Sequence, residues 1–151
     1  MTDQKMTDSL TLSRVRLLLI VILALGIVGV GIELLLLEHT DGFQQLVPVT
    51  LLGLGLLALV WHGVARGPSS VRAIQLIMAL FIASGLVGIV WHYQGNMEFE
   101  LETYPSMAGL TLFKEAMMGA TPALAPGTMI QLGLIGLAYT YRHPLLTRPL
   151  D

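Results

Sequence analysis

The sequence predicts an all-α, polytopic integral membrane protein, a four-transmembrane-helix bundle. Composition gives the first reason: of 151 residues, 54% are hydrophobic and 12% charged, roughly half the charged share of a soluble domain. The second is patterning. Apolar residues come in blocks rather than at a period of two or 3.6, which identifies lipid as the solvent. The third is length, because four blocks, 17–37, 46–65, 71–93 and 124–141, approach or exceed the roughly 20 residues that cross a bilayer as helix. Cysteine is absent, which removes disulfides, thiol redox chemistry and thiolate metal sites. A net charge of −2 offers nothing to attract a nucleic acid.

Residues 1–12 are polar and are expected to form a disordered tail ahead of a single membrane domain, 13–143. The first span, 17–37, follows Lys5, Arg14 and Arg16. Its apolar run exceeds a signal-peptide core and no A-x-A-like cleavage site follows, so it is expected to be a retained anchor. The second span ends at a short basic link, 63–72, containing Arg66 and Arg72, and the fourth is followed by Arg142 and Arg148 in or before a short tail, 144–151. Seven of the eight Lys and Arg therefore fall on one side, with Lys114 alone on the other. The positive-inside rule puts both termini and the 63–72 link in the cytoplasm, and the expected location is a bacterial inner membrane. The other side carries Glu38, Asp41, Glu98, Glu100, Glu102 and Glu115.

The 94–121 connection is long for a bundle. MEFELE at 97–102 alternates apolar and acidic residues, as an extended segment lying on the membrane surface would. Tyr104-Pro105-Ser106 reads as a stop followed by an N-cap. A short interfacial helix is expected next, ending at Gly119. Pro122 and Pro126 favour a bent or late start to the fourth span.

GIVGVGIE at 26–33 returns as GLVGIVWH at 85–92, and LGLGLLALVWH at 52–62 resembles LGLIGLAYTYRH at 132–143. Two parallel copies of a helical hairpin would produce this; so would chance among apolar helices drawing on few residue types. Gly26, Gly29 and Glu33 share one face of the first helix, and Gly85, Gly88 and His92 share one face of the third. Such glycine stripes let helices approach closely in lipid. Glu33 and His92, at the outer ends of these stripes, are the candidate intramembrane polar pair.

The four histidines, His39, His62, His92 and His143, all lie at span ends. Two same-side pairs admit a haem or metal reading, without a fixed spacing to support it. No catalytic motif, phosphate-binding loop or metal signature occurs, so no cofactor and no enzymatic activity are expected. The primary expectation is a non-enzymatic accessory or structural subunit. It would contact membrane lipids and bind another membrane protein or a second copy of itself through its helix faces and acidic outer loop. The alternative is a small proton-coupled transporter using Glu33 and His92; a haem or metal redox subunit is the weaker one.

Overall fold

The computed structural model describes residues 2–119 and 121–147, and every element among them is helical. In order they are α1 (Thr2–Leu36), α2 (Phe43–Val64), α3 (Pro68–Thr103), α4 (Gly109–Met118), α5 (Gly127–Thr140) and α6 (Pro144–Thr147). Three of them, α1, α2 and α3, are long and apolar enough to cross a membrane. Only 11% of the most apolar window of α1 is buried against the protein, far too little for a helix that folds in water.

The stretch 2–12, expected as a disordered tail, instead continues α1 without a break. Ser9 and Ser13 do not interrupt it, because their hydroxyls donate to the carbonyls of Met6 and Ser9, each at 2.9 Å. Extending an existing helix adds one bond per residue fixed. The helix stops at Leu36, and the chain reverses through Glu38, in the left-handed region at φ 52°, and Gly42 at φ 86°.

α3 begins at Pro68, ahead of the expected span start at 71. Gly67 is the N-cap and Pro68 the first helical residue. Ser70 accepts the Gly67 N–H at 3.3 Å and donates to the Gly67 carbonyl at 2.9 Å. Its far end departs from expectation. MEFELE is helical, and α3 runs 36 residues to Thr103, about 54 Å at roughly 1.5 Å per residue. Met, Glu and Leu are good helix formers. The side chains that turn inward are Tyr93, Asn96, Met97, Glu100 and Leu101, a helical period that the apolar–acidic alternation obscured. Pro105 then enforces the stop.

α4 forms the expected short helix of the 94–121 connection, two residues later than the Ser106 cap would give, and closes at Gly119. It lies along the projecting end of α3, with Ala116 fully buried and the Tyr93 and Phe113 rings 5.9 Å apart.

α5 starts only at Gly127, after the turns around Pro122 and Pro126. Its 14 residues make about 21 Å, short of the roughly 30 Å hydrocarbon thickness. The expected span over 124–141 is therefore helical only in part. Of the expected C-terminal tail, 144–147 form α6 and 148–151, with Arg148, lie outside the described residues.

α1, α2, α3 and α5 pack in that cyclic order round one core, so α1 lies diagonal to α3 and α2 diagonal to α5. Leu23 and Ile27 of α1, Leu52 and Leu59 of α2, Ile74, Met78 and Phe81 of α3, and Met129 and Leu132 of α5 fill the centre. A two-fold-related pair of hairpins gives this order, and so does any up-and-down arrangement.

Candidate functional site

The structure does not bring the expected polar pair together. Glu33 sits on the exposed arc of α1, and His92 is half-buried on α3 with its Nδ1–H donating to the Pro122 carbonyl at 3.2 Å. Neither group bonds the other among the described residues. The reason is the diagonal placement of α1 and α3. A shared stripe shows which residues of one helix look the same way, but not which neighbour they meet.

The glycine stripes meet α5 instead. A Cβ at Gly85 would lie 2.7 Å from the Pro126 carbonyl oxygen and 2.6 Å from Ile130 Cγ1; at Gly88 it would lie 2.8 Å from Pro126 Cβ. At Gly26 it would meet only the flexible end of Leu132, and at Gly29 nothing lies within 4 Å. α5 returns the approach through Gly133, whose added Cβ would stand 2.6 Å from the Met78 carbonyl oxygen. Gly26, Gly85 and Gly88 thus face residues of α5 or the turn before it, and Gly29 faces outward beside Glu33, one turn away.

At the end of the molecule carrying Arg16, Arg66 and Arg142, the ends of α2 and α5 converge on a buried polar cluster. His62 Nδ1 is 2.8 Å from Ser70 Oγ, and His62 Nε2 is 2.7 Å from the Tyr139 hydroxyl. Ser70 spends its hydroxyl proton on the Gly67 carbonyl. His62 must then donate from Nδ1 to Ser70 and accept the Tyr139 hydroxyl at Nε2, as a neutral imidazole. His143 stands edge-on to His62, with ring centroids 5.6 Å apart, and its Nδ1 accepts the Leu145 N–H at 3.3 Å. Burial first, and then positive charge on His62 whenever it takes up a proton and on Arg16 and Arg66, hold the pKa of the His143 imidazole below its ordinary value. Positions 62 and 143, matched in the repeated phrases, thus meet at the end of the core.

An open cleft of about 380 Å³ adjoins this cluster. Arg16, Arg66, His143 and Tyr139 contribute its polar wall, and Leu17 and Ile20 of α1 are on its apolar side. Arg16 is held by its Nη2, which donates to the carbonyls of Arg142 at 3.1 Å and Tyr141 at 3.4 Å at the C-terminal end of α5. Cations at a helix C-terminus are favourably placed.

Sequence reasoning missed Ser70, Tyr139 and the role of Arg16. Two signals were available. Tyr139 stands four residues before His143, on the same side of the chain, and Ser70 follows the Gly-Pro start of α3 at the position that reaches back to the N-cap. Asn96 was missed as well. It is buried, its Nδ2 donates to the carbonyls of Ala116 at 2.9 Å and Thr121 at 2.6 Å, and its Oδ1 accepts the Thr121 hydroxyl at 2.7 Å and N–H at 3.3 Å. One side chain thereby ties the far part of α3 to Ala116 of α4 and to Thr121.

Among the described residues no three His, Asp or Glu side chains converge to ligate a metal. His62 has both nitrogens committed, and its edge contact with His143 leaves no room for a macrocycle between the rings. At the opposite end, burial and then the charge of His92 lower the His39 pKa. Comparison with protein-family models, with curated proteins and with solved structures found no match for this chain.

Proposed function

We propose that this protein is a non-enzymatic integral membrane subunit with four spans, α1, α2, α3 and α5 with its preceding turns, that docks to a transmembrane helix of another membrane protein along α1. Both termini and the Arg66 link face the cytoplasm in this reading, following the one-sided placement of arginine. α4 then rests at the opposite membrane surface, its exposed Leu110 and Phe113 suited to the headgroup boundary.

One observation carries the docking role: Glu33 has no partner within the described residues and shares an exposed arc with the open Gly29. Leu18, Ile22, Leu25, Gly29, Ile32 and Leu36 are all exposed and follow each other at alternating steps of four and three, the spacing of a helix–helix seam. A glycine within it admits close backbone approach, and a carboxylate beside it favours a partner carrying a donor or cation at that depth. The transporter reading would need Glu33 and His92 on one cavity, and it lacks that support.

Site-specific photocrosslinking in native membranes tests the proposal. A photoreactive residue replacing Leu25 should give a discrete protein adduct that weakens in a Glu33→Leu background, whereas one replacing the equally exposed Leu57 of α2 should not. Equivalent lipid-only adducts at both positions would overturn the docking role.

A further inference from the structure

We propose that the cleft at the arginine-bearing end is a binding site for a phosphate oxyanion, carried by an anionic phospholipid headgroup or free in solution. This inference is independent of the docking role of α1, because it uses the opposite end and inner side of that helix. Among the described residues the cleft of about 380 Å³ is lined by Arg16 and Arg66 and by no carboxylate. Its positive charge is unbalanced by its own walls, in a protein whose net charge is −2.

Among the described residues the donors are uncommitted as well as charged. Arg16 uses only Nη2 in the hydrogen bonds that anchor it to α5, leaving Nε and Nη1. Because His143 Nδ1 accepts from Leu145, the neutral ring carries its proton on Nε2, a further donor on a residue that lines the cleft. Arg66 is exposed at the mouth. A phosphate offers oxygens to several such donors at once, and guanidinium is the group best matched to it. Leu17, Ile20 and Leu145 add apolar wall beside these groups, as the glycerol and first acyl carbons of a lipid would require. Basic pockets between transmembrane helices recognise anionic headgroups by this chemistry.

The test uses the full chain in neutral detergent micelles, titrated separately with short-chain phosphatidylglycerol, short-chain phosphatidylcholine and inorganic phosphate, with bound ligand read by native mass spectrometry. Phosphatidylglycerol should be retained in preference to phosphatidylcholine. Arg66→Gln, which breaks no described hydrogen bond, should weaken that retention about tenfold, and Arg66→Lys should restore part of it. Displacement of the lipid by millimolar inorganic phosphate would support the site and assign the free anion as its ligand; its failure, with lipid still bound, would assign the headgroup. Equal retention of the two lipids, or phosphatidylglycerol retention unchanged by Arg66→Gln with the helical spectrum intact, would overturn the proposal.

Discussion

Gly85→Ala offers the sharpest test of how α5 is held. The new methyl carbon would stand 2.6 Å from Ile130 Cγ1, 2.7 Å from the Pro126 carbonyl oxygen and 3.0 Å from the Ile130 nitrogen. Two of these three neighbours are backbone atoms, so a rotamer change cannot relieve the clash. α5 must move away from α3 by several tenths of an ångström, along the most extensive helix pair in the fold. Overpacking of this kind costs about 1–3 kcal/mol, against a gain of about 0.5–1 kcal/mol from replacing glycine within a helix. The expected net loss is therefore between about 0 and 2.5 kcal/mol, and the deficit relative to a glycine replaced without a clash is the full clash cost of about 1–3 kcal/mol. Gly29→Ala is the matched control, since nothing lies within 4 Å of its added carbon and only the propensity gain remains. Both variants would be unfolded by SDS titration in mixed micelles and followed by far-ultraviolet circular dichroism. If Gly85→Ala proved as stable as Gly29→Ala, the close approach of α3 and α5 would be wrong.

Tyr139→Phe keeps the ring but removes the hydroxyl donor from His62 Nε2, leaving a buried acceptor unsatisfied; the same titration should show a loss of about 1–3 kcal/mol. Asn96→Ala removes all four bonds to Ala116 and Thr121, so hydrogen exchange should rise across 109–121 while the centres of α1 and α2 stay protected. Stability should also depend on pH through His143. Its pKa in the fold is lowered, so the unfolded chain binds the proton more readily. The contribution is complete above the ordinary value of 6.5 and is lost as pH falls below it toward the folded value; SDS titrations at pH 8 and pH 5.5 should differ in that direction, and His143→Gln should reduce the difference. The chain's lack of cysteine permits single-site labelling: an impermeant maleimide should reach Ser106→Cys in intact cells and Ser69→Cys only after permeabilisation, and the reverse pattern would overturn the orientation.

The expected helical membrane character was legible in the chain because it depends on local quantities. Apolar length sets which segments can cross a bilayer, and α1, α2 and α3 show it without reference to neighbours. Pro105 stopped α3 through backbone chemistry confined to a few residues, whereas the start at Gly67 and Pro68 lies ahead of the expected 71. The end of α3 was misread at 97–102 because alternation and helical period overlap in so short a stretch, and only the packing of α4 showed that the helical face was in use. Positions 33 and 92 were misjudged for a different reason: a helical wheel orders residues on one helix, but the cyclic order of four helices decides which wheels touch. That order placed α1 across from α3 and gave the glycines to α5. It also drew His62, Ser70, Tyr139 and His143 together. These residues come from three helices and the turn after α5, and in sequence 73 positions separate Ser70 from His143 (143 minus 70). Their meeting is a property of the packed chain, since contact between distant residues follows from how whole helices lie against each other and leaves no local mark.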